Sequence, residues 1–215
     1  MNSFIDFVVS RWDDVVEAAL QHIVYVVSVI FTATIIAIGT GIYARHRPIL
    51  REVILGIYAV FLTIPSLALF VLFIPIVGLG FWPPYIALTM YALLPIARNT
   101  VTGLAGVDPA IVEAARGMGL SRRQRLWRIE MPLAWPVIVT GVRVSALLVT
   151  GIAAIATLVA GGGLGDFIKS GLSRLGTPNS MESIWTGTVF VVLLALAFDA
   201  IFIGVRRLST SEGLR

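Results

Sequence analysis

Cysteine is absent from the sequence, which excludes disulfides, a thiol nucleophile and any Cys-ligated metal site. Lysine occurs once, at Lys169, and histidine twice, at His22 and His46. Charged residues make up 13% of the 215, about half the share of a soluble domain, whereas hydrophobic residues reach 58% and mean hydropathy is +0.94. So little polar surface does not coat a water-soluble globule, and the apolar side chains must meet lipid. A secretory signal is also missing: Asp6, Arg11, Asp13, Asp14 and Glu17 interrupt the first twenty residues, which have no positive start and no unbroken apolar run. His, Asp and Glu do not cluster as metal ligands, so no metal site is expected, and neither histidine is placed within a bilayer to activate a serine. An intramembrane enzyme is therefore the disfavoured alternative class.

Long apolar runs are what the chain does have. A hydrocarbon core about 30 Å thick needs about 20 apolar residues in a helix. Five stretches qualify, at 23–43, 53–76, 85–103, 137–159 and 184–205. Residues 1–20 place Phe4, Val8, Trp12, Val15, Val16 and Ala19 at three- and four-residue steps, which predicts a separate amphipathic segment on the membrane surface. The expectation is one all-α polytopic domain over 1–215, with about five transmembrane helices. Glycines within spans, Gly39, Gly41, Gly141 and Gly151, are expected to allow close helix packing.

Net charge is +4, nearly all of the positive charge is arginine, and its placement marks a membrane side rather than nucleic acid. Arg45, Arg47 and Arg51 lie between spans one and two. Arg98, Arg116, Arg122, Arg123, Arg125 and Arg128 lie between spans three and four, and Arg206, Arg207 and Arg215 follow span five. These twelve fall on one side, against Arg11, Lys169 and Arg174 on the other. The positive-inside rule then puts the N-terminus outside and the C-terminus in the cytoplasm.

The loop at 107–136 carries the most information. Asp108-Pro109 reads as a helix start, and Gly119 supplies a left-handed stop. Ser121 and Gln124 form a capping box that opens a second short helix bearing Arg122, Arg123, Arg125 and Arg128, which Pro132 is expected to close. By charge alone this is an amphipathic helix–turn–helix held to anionic headgroups. Glu113-Ala114-Ala115, then Gly119 four residues on, then Ile129-Glu130-Met131-Pro132 ten residues beyond, resembles the EAA signature of ABC importer permeases, with Met131 where the family has leucine. The resemblance implies a type I importer-like permease fold. It also implies a cytoplasmic coupling loop in which Glu113, Ala114, Ala115, Gly119, Ile129 and Pro132 serve contact with an ATPase subunit. No G-x-x-x-x-G-K-[ST] loop is present, so on this reading the chain is no enzyme and holds no cofactor, and Mg-ATP belongs to the partner chain. The other implied partners are a second permease subunit, identical or paralogous, an extracytoplasmic solute-binding protein and the bilayer.

Three further stretches are similar to permeases of the glycine betaine, choline and carnitine branch: Thr63 to Leu69, Leu94 to Thr100, and Gly162-Gly163-Leu164-Gly165-Asp166. Methionine permeases share the last of them, so a methionine or other amino-acid permease is the alternative. Four polar residues stand out near or within the spans. Arg143 and Asp199 lie at similar depth and are expected to pair structurally, a substrate contact being the alternative. Arg98 and Asn99 near the inner end of span three are candidate gate residues, although an arginine there also snorkels to headgroups. Asp166 is expected to cap a short helix over Phe167 to Leu175, and Trp82, Tyr85, Trp135 and Trp185 to sit in aromatic belts.

Overall fold

The computed structural model describes residues 2–159 and 161–209, all helix and connecting turns with no strand among them. Arg215 of the C-terminal positive cluster lies outside the described residues. Helix α1 (Asn2–Ser10) is followed after one residue by α2 (Trp12–Ala44). The expected surface segment therefore does not stand apart, because its second half is the first part of the 33-residue α2. Val15, His22, Val26, Val29, Ala33, Ala37, Gly41 and Ala44 recur at helical spacing and form one buried stripe along α2. The polar start at Asp13 and Asp14 is the first turn of a long helix rather than a separate element.

The second expected span is broken. Helices α3 (Pro48–Thr63) and α4 (Ser66–Val77) meet at an angle of 101° across Ile64-Pro65. Proline removes a backbone donor and drives the preceding residue to extended geometry, and Ile64 has φ −78 and ψ 131. The carbonyl of Ile64 then accepts a hydrogen bond from the Tyr91 hydroxyl on α5 (Trp82–Ala105), so the break is not left unsatisfied. Among the described residues, three helical runs are long and apolar enough to cross a membrane, and the bent pair makes a fourth if it counts as one span.

Helix α5 is not in that tally, yet it contains the third expected span and forms the centre of the molecule. It packs most extensively against α8 (Met131–Ala153) and next against α2. With Ala87, Leu88, Tyr91, Ala92, Ile96 and Ala97 buried between neighbours, it tolerates Thr89, Asn99 and Thr100 because protein, not lipid, surrounds it. Two glycines set its distance from α8. A Cβ on Gly141 would stand 2.7 Å from the Pro95 carbonyl oxygen, and one on Gly103 2.9 Å from that of Ala134. Gly41 makes the same close approach on α2 against Thr100, whereas Gly39 and Gly151 have open space and are not packing glycines within this chain.

On the other end of the bundle a 3-10 turn (Ala156–Val159) leads through the glycine-rich turn to α9 (Gly165–Ser173), and α10 (Ser180–Ser209) runs back. Asp166 does not cap α9. Leu164 holds the cap position without a side-chain bond, and Asp166 lies inside the first turn. Gly162 and Gly163 have φ of +73 and +89, and a Cβ on Gly163 would stand 3.2 Å from His22 Nδ1. The glycines thus fold the turn tightly onto α2.

Candidate functional site

Helix α6 (Pro109–Gly117) starts where the sequence indicates, with Asp108 Oδ1 accepting from the Ala110 amide at 2.8 Å. Its end is a Schellman turn. The Leu120 amide donates to the Ala115 carbonyl and that of Gly119 to Arg116, with Gly119 at φ +81. Arg125 Nη1 donates to the Leu120 carbonyl at 3.1 Å and braces the same turn. The capping box is present: the Ser121 amide donates to Gln124 Oε1 at 2.8 Å and the Gln124 amide to Ser121 Oγ at 3.3 Å.

Capping fixes how α6 presents its side chains. Glu113, Ala114, Gly117 and Met118 are exposed, as is Gly119. Ala115 is 1% exposed and turned into the chain, so the two adjacent alanines have different surroundings. The outward face is short-chained, with Met118 and Ile111 the large apolar groups on it.

The second loop helix does not stop at Pro132. Helix α7 (Arg122–Arg125) passes into a π turn (Leu126–Glu130) and straight on into α8, one helical run from Arg122 to Ala153. The Met131 amide reaches back five residues to the Leu126 carbonyl, and Pro132 falls in the first turn of α8, where its missing donor is tolerated. Within this stretch Ile129 is half-buried and Pro132 exposed. Glu130 is buried, and its Oε2 lies 3.1 Å from Arg45 Nη1, off the line of a straight hydrogen bond. The two side chains are 11% and 14% exposed, so the pair joins the end of α2 to the π turn in partly dry surroundings. Next to it a cavity of about 650 Å³ opens between Arg45, Leu104, Glu113 and Arg122.

In the membrane-spanning part, Arg143 Nε lies 2.6 Å from Asp199 Oδ1 and Nη2 2.9 Å from Oδ2, a bidentate pair between α8 and α10. Of the two candidate gate residues, Arg98 is exposed and Asn99 is packed at the α5–α8 crossing, its Nδ2 donating to the Pro95 carbonyl at 2.8 Å. Trp82 and Tyr85 join Tyr25 and Phe81 in a cluster of ring contacts beside the short α4–α5 link.

Sequence reasoning missed two features. His22 is 2% exposed, with Nε2 3.1 Å from the Thr150 carbonyl oxygen, and its position in the Val15–Val26–Val29 stripe was the signal for burial. The Arg45–Glu130 pair had only a weak signal, a single acid beside a run of arginines, which does not name a partner.

The capped loop, the continuous helical run and the all-helical bundle with membrane-length apolar helices are those of a multi-span membrane protein. The chain belongs to the family of binding-protein-dependent transport system inner membrane components, whose model matches residues 19–207. It is 33% identical to the choline transport system permease protein OpuBB of Bacillus subtilis, over all of this chain and 97% of that one. It is 36% identical to the carnitine transport permease protein OpuCB of Listeria monocytogenes, over 93% of this chain and 89% of that one. Identity to the osmoprotectant import permease protein OsmW of Salmonella typhimurium is 35% over 91% of each chain. In fold it matches an inward-facing structure of the MetNI methionine ABC transporter, with a TM-score of 0.80 and 24% identity over 92% of this chain and 96% of that one.

Proposed function

We propose that this chain is the membrane-spanning subunit of an ATP-driven importer for a small quaternary-ammonium solute such as choline, carnitine or glycine betaine. The observation that carries the importer reading is α6: capped at both ends, exposed on its Glu113–Ala114–Met118 face, and connected by one turn to a helix that runs through the membrane. A short-chained helical face lets a partner approach closely, and Glu113 adds a hydrogen-bond acceptor at the rim. ATP hydrolysis, with its Mg-ATP, belongs to a separate ATPase subunit docked on that face, and the N-terminus lies outside the cell. A second permease subunit, identical or paralogous, completes the path, and an extracytoplasmic binding protein selects the solute, an aromatic cage being the usual means of holding a quaternary ammonium.

The solute class rests on the relatives named for choline, carnitine and osmoprotectants. Methionine is the second reading, supported by the glycine-rich stretch at 162–166; likeness to the methionine transporter is one of fold. Uptake of radiolabelled choline, carnitine, glycine betaine and methionine in a deletion strain, with and without the restored gene, decides between them. Restored ATP-dependent uptake of methionine alone sinks the quaternary-ammonium reading. Uptake that needs no ATPase subunit sinks the importer reading.

A further inference from the structure

Arg143 lies six residues, about 9 Å along the axis, inside the span expected at 137–159, and within α8 it is twelve residues from Met131 and ten from Ala153. At that depth its side chain is 31% exposed and that of Asp199 24% exposed, although the two carry a bidentate ion pair. Acyl chains offer neither hydrogen bonds nor dielectric screening, and ionised groups at such depth face a bundle interior or a water-filled cavity. The chain's own helices do not finish covering the pair. On α8 the turns either side of Arg143 continue the same opening: Thr140 and Leu147 are half-buried, and Gly151 is exposed with nothing within 4 Å of where a Cβ would stand. On α10, Val192 and Leu196 flank Asp199 and are more than half exposed.

We propose that this groove between α8 and α10 faces water inside the membrane and lines the route of the solute, with Arg143 and Asp199 on its wall. The inference rests on the importer reading, in which the second permease subunit completes the path and leaves this partly open charged face toward it. A route walled by both signs of charge suits a solute that carries fixed charge, because a moving cation or zwitterion finds polar partners within the membrane instead of a bare apolar barrier.

The natural chain has no cysteine, so single-cysteine variants read one position each. Thr140→Cys and Leu147→Cys probe the groove. Ile35→Cys, 58% exposed on α2 and nine residues before its end, is the control for lipid. Open membrane fragments holding the complete importer are treated with a charged, membrane-impermeant thiol reagent, with and without Mg-ATP. Only a hydrated thiol ionises and reacts, so both groove variants should label at least about tenfold faster than Ile35→Cys in one of the two conditions. Groove rates at or below the control in both conditions overturn the proposal, whether lipid or a dry protein contact covers the face. ATP-driven uptake is measured on the same variants. Intact uptake with silent cysteines refutes this inference alone, whereas absent ATP-dependent uptake in the unsubstituted importer refutes the importer reading.

Discussion

The α5–α8 crossing permits a test in which one substitution has opposite signs at two places on the same helix. At Gly141 a new Cβ would stand 2.7 Å from the Pro95 carbonyl oxygen and 2.7 Å from the Asn99 Cβ. Carbon contacts relax at about 3.5–4.0 Å, so Gly141→Ala must push two packed helices apart by about 1 Å. Overpacking of this kind costs about 1–3 kcal/mol, and the better helix propensity of alanine returns about 1 kcal/mol. The net expectation is about 1 kcal/mol of destabilisation. At Gly151 a Cβ meets nothing within 4 Å, so Gly151→Ala keeps the propensity gain without the clash and is expected to stabilise by up to about 1 kcal/mol. The two variants should therefore differ by about 2 kcal/mol, about a 30-fold change in the folded-to-unfolded ratio. SDS-titration unfolding of the purified chain, followed by the fluorescence of its five tryptophans, measures that gap. Equal midpoints for the two variants, or a less stable Gly151→Ala, would refute the packing account of the crossing.

Three other substitutions test the loop and the spans. Gly119→Pro cannot adopt the φ of +81 found there, so α6 loses its Schellman stop; co-purification with the ATPase subunit should fall while membrane insertion stays normal. Glu130→Gln leaves Arg45 unpaired where both side chains are largely buried, which should cost about 2 kcal/mol in the same unfolding assay, and Arg45→Gln added to it should recover part of the loss. Arg143→Asp and Asp199→Arg should each lower the folded yield and together restore it, judged by size-exclusion profiles of the fluorescently tagged protein; a double variant no better than either single removes the pair as a structural element.

Much of the fold was legible because lipid imposes a coarse rule. Apolar length marks a span whatever its neighbours are, and three of the five expected stretches, 23–43, 85–103 and 184–205, are continuous helix in the structure. The stretch expected at 137–159 is α-helix only to Ala153, after which a turn and a 3-10 segment follow. The second stretch shows where the rule ends. Pro65 and Pro75 both lie in the second stretch, and hydropathy does not distinguish a proline that breaks a helix from one that does not. Pro75 stays inside α4, whereas Pro65 breaks the run, because Tyr91 of another helix is there to satisfy the Ile64 carbonyl. That tyrosine is 27 positions away, outside any local window. Loop capping was legible for the opposite reason: Asp108, Gly119, Ser121 and Gln124 act on backbone groups within five residues, so their chemistry is complete in the local sequence.

Pro132 shows how local and distant effects combine. A proline after an amphipathic stretch ordinarily ends a helix, and here it does not, because the preceding π turn shifts the hydrogen-bond register. One helical run consequently extends from Arg122 to Arg143, 21 residues or about 32 Å, with the π turn and the Arg45–Glu130 pair near its base. On the proposed reading, a push on α6 crosses only the capped turn at 119–121 before it meets a helix that continues into the membrane. It tilts one rod, whose base is held by Arg45 and whose middle carries the charge that Asp199 neutralises. A helix that ended at Pro132 would have absorbed the same push in its loop. The run from lever to ion pair therefore depends on a proline being accommodated rather than obeyed, and this is the feature of the chain that sequence periodicity was least able to reveal.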